Sequence, residues 1–139
     1  MITLDTSAVF ALANRKDPDH KRVRHVFEAD GGPYLVPAGA LAEMTFLIED
    51  RLGWQALDAF LSNLADRALS LECGEEDLPR VRELASRYHD LPLGAADASV
   101  IACAERNGGR VLTLDRRDFD VVGREGKLVV EPQVGGARS

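Results

Sequence analysis

Ile2-Thr3-Leu4-Asp5-Thr6-Ser7-Ala8-Val9-Phe10-Ala11-Leu12-Ala13-Asn14 opens the chain and decides how the rest is read. Residues 1–4 form a short apolar run that stops at Asp5, Thr6 and Ser7, three types favoured as helix caps. Residues 7–14 then read as a short helix carrying Val9, Phe10 and Leu12. Strand followed by helix recurs downstream. Asp17 as cap with Pro18 at the first helical position starts a helix that runs to about Asp30, where Gly31-Gly32-Pro33 ends it. Residues 34–36 read as a strand. Leu41, Met44, Leu47 and Ile48 recur at helical spacing within residues 38–52, and Trp54, Leu57, Phe60, Leu61 and Leu64 do so after Gly53. That second run reads as core, with a partner groove or dimer seam as the alternative. A strand at 69–73 and a helix at 75–88 follow, the helix starting as late as Pro79 on an alternative reading. Next come a helix at 95–107, a strand at 111–114, a turn or short helix at 116–120 and a last strand at 127–131. Short apolar strands alternating with helices indicate an α/β domain with a mainly parallel sheet.

The chain has 139 residues, enough for one domain that buries roughly two-thirds of its unfolded surface. Residues 1–134 are read as that domain and residues 135–139, which lack an apolar anchor, as a flexible tail. No apolar run approaches the roughly 18–20 residues of a membrane span, and no signal peptide is visible, so the expected location is cytoplasmic. Cys73 and Cys103 are far apart in sequence and are read as reduced thiols. The net charge of −6 disfavours a plain DNA-binding module, which is usually basic. It leaves room for phosphate chemistry if some of the carboxylates hold divalent cations.

Four carboxylates stand out. Thr3-Leu4-Asp5 closes the first strand, and Thr113-Leu114-Asp115 closes the fourth. Ligands of an open parallel sheet bind beyond the carboxyl ends of its strands, so both acids are placed where chemistry is expected. Glu43 sits in an otherwise apolar helix, and Asp97 carries the one charge in residues 94–104. Both are read as buried, and a buried carboxylate needs a partner charge or a metal. The plainer readings are helix caps for the two strand-end acids, a solvated face for Glu43 and a helix-dipole contact for Asp97. Hard oxygen ligands of this kind suit Mg²⁺ or Mn²⁺.

The stretches Leu4-Asp5-Thr6-Ser7-Ala8, Leu41-Ala42-Glu43-Met44, residues 93–102 and residues 113–119 resemble, in order and spacing, the PIN-domain ribonucleases. Within that family the chain is most similar to the toxin subunit of VapBC-type toxin–antitoxin pairs. The resemblance implies a three-layer α/β/α sandwich around a parallel sheet. It implies that Asp5, Glu43, Asp97 and Asp115 bind one or two Mg²⁺ or Mn²⁺ ions and catalyse RNA hydrolysis. Thr6 or Ser7, and Thr113, would orient carboxylates or waters, with Asp118 in a weaker outer role. Arg116 and Arg117, next to Asp115, are the candidates for phosphate contact. The resemblance also implies an RNA substrate (a transfer or ribosomal RNA), a cognate antitoxin and a homodimer. Two rival readings remain on sequence alone. One is a catalytically silent interaction module. The other is a haloacid-dehalogenase-type phosphatase, which normally wants a second Asp where Ser7 stands.

Overall fold

The computed structural model describes residues 1–91, 93–123 and 128–133, with Arg117 and Asp118 described by backbone only. Five short strands form one sheet: β1 (Ile2–Leu4), β2 (Tyr34–Pro37), β3 (Ser70–Glu72), β4 (Arg110–Leu112) and β5 (Val129–Glu131). Their order is β3-β2-β1-β4-β5, and every pairing is parallel. Thr3 is in register with Leu35 on one side and Val111 on the other, so β1 is the central strand. Ile2, Leu4, Val36, Val111 and Leu112 have no solvent exposure, which is why these strands read as continuous apolar runs.

Seven helices connect the described strands: α1 (Thr6–Ala13), α2 (His20–Asp30), α3 (Leu41–Leu52), α4 (Trp54–Ala65), α5 (Leu78–Arg87), α6 (Ala95–Arg106) and α7 (Arg116–Gly123). The strand sequence moves outward from β1 to β2 to β3, then returns across β1 to β4. Right-handed crossovers therefore place the helices before β3 on one face and α5–α6 on the other. This is the α/β/α sandwich anticipated above, and its sheet is wholly parallel. The direction of winding reverses between β1 and β4, which makes their carboxyl ends a topological switch point.

Helix boundaries differ from the sequence reading where local chemistry competes. Residues 17–19 form a turn in which Asp17 accepts the Asp19 amide at 2.8 Å, so α2 begins at His20 rather than at Pro18. Single 3₁₀ turns at Ala38–Ala40 and Glu75–Asp77 precede α3 and α5, and Pro79 occupies the first turn of α5. Trp54 and Leu61 do not join the core. They are exposed, while Leu57 and Phe60 on the same helix are buried. The cysteines are not separate thiols, as the sequence reading had them: Cys73 and Cys103 are joined in a disulfide with their Cα atoms 5.5 Å apart. They meet because α6 packs against the Glu75–Asp77 turn that follows β3, a proximity that a separation of 30 residues conceals. Residues 134–139, including the expected tail, lie outside the described residues.

Helix α6 is the closest-packed element. Ala98 through Ala104 are all buried, and the helix contacts β1, β2, β4 and α5. Its small side chains allow that approach. The 3₁₀ turn at Ala38–Ala40 meets it at Gly39, where a Cβ would lie 2.2 Å from Ser99 Oγ and 2.7 Å from Ser99 Cβ. Only hydrogen fits there. Gly39→Ala is predicted to destabilise the fold by about 1–3 kcal/mol through overpacking, read as a lower thermal midpoint. Ser99→Gly in the same chain should recover part of the loss. An alanine variant that melts with the wild type would show that the contact can give way freely.

Candidate functional site

Asp5 follows β1 directly and occupies the residue before α1, yet its side chain makes no helix-capping bond. The cap reading therefore does not account for it. Its carboxylate is instead held across the switch point. Thr113 Oγ1 donates to Asp5 Oδ2 at 2.7 Å, and Ser7 Oγ donates to the same oxygen at 3.1 Å. The two hydroxyls lie 3.2 Å apart. Each also accepts a backbone amide from the segment after β4: Leu114 N–H reaches Ser7 at 2.9 Å, and Asp115 N–H reaches Thr113 at 2.9 Å. The matching Thr-Leu-Asp tripeptides thus meet in space. Thr113 orients the acid of the first strand and the backbone of the second.

Thr6 and Ser7, left as alternatives by the sequence, have different tasks. Ser7 serves Asp5, whereas Thr6 Oγ1 donates to Glu43 Oε1 at 2.5 Å. Glu43 lies in the first turn of α3. It is exposed, which corrects the expectation of burial. The hydroxyl of buried Thr6 nevertheless ties this flexible side chain to the residue that follows Asp5. Asp97 is half-buried in the first turn of α6. A helix that leads into a parallel strand begins at the carboxyl edge of the sheet, so Asp97 lies on the same edge as Asp5 and Asp115. The contact of Gly39 with Ser99 seats that end of α6 against the turn preceding α3.

Arg116 is not aimed at solvent as a phosphate ligand. Its guanidinium donates to the Pro132 and Val130 carbonyls and to Asp120, which ties α7 to the end of β5. The carbonyls after a parallel edge strand need donors, and Arg116 supplies them. The side chains of Arg117 and Asp118 lie outside the described residues. Histidine takes a structural place: His20 Nδ1 donates to the Ala11 carbonyl at 2.7 Å.

Burial pushes the Asp5 carboxyl above its ordinary value, and the nearby charge of Asp115 adds to the rise. The hydroxyls of Thr113 and Ser7 and the Thr6 amide oppose it. A buried acid beside a second acid is the electrostatic setting that a cation relieves. The donors are hard oxygens, the chemistry that Mg²⁺ and Mn²⁺ select. Among the described residues no three His, Cys, Asp or Glu side chains stand as a ready-made cage. Mg²⁺ does not require one, because it keeps several waters and takes only one or two carboxylates. The donor set therefore fits such an ion.

The raised value also has a stability consequence. The folded chain holds the Asp5 proton more tightly than the unfolded chain does. The stability that this contributes is complete below the ordinary carboxylate range and is lost as pH rises through the elevated value. In chelator-treated protein, Asp5→Asn should therefore melt above wild type at neutral pH, by on the order of 3–5 °C per kcal/mol. The gap should close on acidification. Equal melting of the two proteins at neutral pH would contradict the burial cost.

Comparison with known proteins agrees with this architecture. The PIN domain family model matches residues 2–125. The chain is 33% identical to "Ribonuclease VapC26" of Mycobacterium tuberculosis over 121 residues, covering 86% of this chain and 90% of that protein. Among solved structures, VapC20 of Mycobacterium tuberculosis, described as a sarcin–ricin loop cleaving toxin, superposes with a TM-score of 0.76 at 22% identity. That match covers 88% of this chain and 95% of the other. VapBC2 of Rickettsia felis, solved bound to a promoter DNA fragment, gives a TM-score of 0.67 at 17% identity, covering 94% and 98%. These two likenesses show the fold, and the family match with the 33% identity shows the lineage: the chain belongs to the PIN-domain family, among its VapC-type members.

Proposed function

We propose that this protein is a Mg²⁺- or Mn²⁺-dependent endoribonuclease, the toxin of a toxin–antitoxin pair, acting in the cytoplasm on a transfer or ribosomal RNA. The observation that carries this reading is the tie between β1 and β4. Asp5 and the segment bearing Asp115 are fastened together by Thr113 and Ser7 at the switch point. In that position a parallel sheet binds ligands.

Asp5, Glu43 and Asp97 would hold the main ion, directly or through its waters, and Asp115 would complete the site or support a second ion; bound metal would supply Lewis acidity and a water activated for attack on phosphorus. The chain's own contribution is positioning. Thr113 and Ser7 fix Asp5 Oδ2, and Thr6 restrains Glu43, so fewer rotamers must be frozen when the ion binds. The small-residue packing of α6 seats Asp97. Ser7 donates to Asp5 Oδ2, where a phosphatase of the dehalogenase type would place its second acid. That disfavours a phospho-aspartate route.

Partner recognition has a surface of its own. A groove of about 440 Å³ between α1, α2 and α4 is lined by Val9, Leu12, Phe27 and Phe60, with Arg15 and Arg24 among its polar lining. It suits an amphipathic antitoxin segment laid apolar side down. Phe46 and Trp54 remain in solvent on α3 and α4, which supports a homodimer.

Purified Asp5→Asn and Asp97→Asn proteins should keep the wild-type circular dichroism spectrum and lose RNA cleavage by on the order of 100-fold or more, at least about 2.7 kcal/mol of barrier. Wild-type cleavage should stop with chelator and return with Mg²⁺ or Mn²⁺. A folded Asp97→Asn protein that cuts RNA at the wild-type rate would refute this assignment.

A further inference from the structure

The Cys73–Cys103 bond lies outside the site, and nothing in the proposed activity uses it. Cys73 follows edge strand β3, and Cys103 is in the last turn of α6, on the helix that carries Asp97. The bond closes a loop that contains α5 and the first two turns of α6. Cys103 is fully buried, its sulfur 4.0 Å from Thr3 Oγ1 of β1. Cys73 is 5% exposed.

Two features distinguish this bond from an inert staple. First, polar donors surround the Cys73 sulfur. Arg106 Nη2 lies 3.6 Å from it and Asn107 Nδ2 lies 3.4 Å from it. A disulfide sulfur is a weak acceptor, whereas a thiolate accepts charge-assisted bonds from both groups. Second, the two sulfurs are held together by more than their own bond. Arg106 pairs with both oxygens of buried Asp77, at 2.8 and 3.0 Å, and with Glu76 at 3.0 Å. Arg80 of α5 pairs with both oxygens of Glu105 of α6, each at 2.8 Å. These ties fix the turn after β3 and the start of α5 to the end of α6, beside the disulfide. Asn107 also donates to the Cys103 carbonyl at 2.8 Å, which anchors its amide beside the bond. Cys73 itself has φ +63, an uncommon conformation for a residue with a Cβ, and the surrounding ties hold it there.

We propose that Cys73 and Cys103 form a reversible dithiol–disulfide couple. The Arg80 and Arg106 ion pairs keep the sulfurs adjacent in both states, and Arg106 and Asn107 bond the Cys73 sulfur when the bridge is open. A dithiol reductant supplies the two electrons. Its thiolate attacks the more exposed Cys73 sulfur and releases Cys103, which takes up a proton. The second reductant thiol then closes on its partner and expels Cys73 as a thiolate. The net change is one oxidised reductant, one Cys103 thiol, one Cys73 thiolate and one proton released to solvent. The couple thereby sets how tightly the β3 edge is fastened to the helix that carries Asp97.

The test is a redox titration of the full chain in oxidised and reduced dithiothreitol, with free thiols trapped by a maleimide mass tag and the fold followed by circular dichroism. Both thiols should appear together while the far-UV spectrum stays native, and the monomeric disulfide should re-form on oxidation. Asn107→Ala removes a donor to the Cys73 sulfur and leaves the Arg80 and Arg106 ion pairs in place. It should shift the equilibrium toward the disulfide by about three- to tenfold, the effect of losing one hydrogen bond to the open form. The proposal is overturned if the thiols are released only on unfolding, or if no disulfide forms in the most oxidising buffer. An unshifted equilibrium in folded Asn107→Ala overturns it as well. The wild-type titration decides reversibility even if the Ala variant does not fold.

Discussion

One buried carboxylate organises this molecule. Asp5 is placed by the central strand, out of water and next to the segment that carries a second acid. An ionised group there is unfavourable unless donors meet it. Thr113 and Ser7 meet it, and both are anchored by amides of the chain that leaves β4. The network cannot form unless β1 and β4 are neighbours in parallel register. The site and the sheet topology are therefore one constraint, and a chain that folded with another strand beside β1 would deprive Asp5 of Thr113.

The rest of the scaffold brings the remaining acids to the same edge. Helix α6 must lie close to three strands, so it is built from alanine, serine, cysteine and β-branched residues rather than from large side chains. Gly39 extends that close approach to the turn ahead of α3. Glu43 and Asp97 thereby start from two helices whose first turns share the carboxyl edge of the sheet. Glu43 is exposed and held through Thr6, whereas Asp5 is buried and held through two hydroxyls. The proposed cation site would gain from that difference. One acid is rigid and poorly solvated, and another can adjust to the ligand.

Expectations failed where residue type was taken as a guide to surroundings. Glu43 has apolar neighbours on a helical projection, but Phe46 is itself 69% exposed, and Val36 and Gly39 precede the helix. Arg116 follows Asp115, yet the Val130 and Pro132 carbonyls at the end of β5 claim its guanidinium. Trp54 and Leu61 share the spacing of Leu57, but a helix buries only the stripe that faces its neighbours.

From the chain of residues alone came the alternation of strands and helices, the all-round small-residue character of α6 and the paired Thr-Leu-Asp strand ends. Those features are local, because periodicity, capping chemistry and composition act over one or two turns. The three-dimensional arrangement decided what depends on distant partners. It set the order β3-β2-β1-β4-β5, the division of work between Thr6 and Ser7, the exposure of Glu43 and the joining of Cys73 to Cys103. Each of these follows from which surfaces meet when the helices close over the sheet, and contact across 30 to 108 residues leaves no local signature.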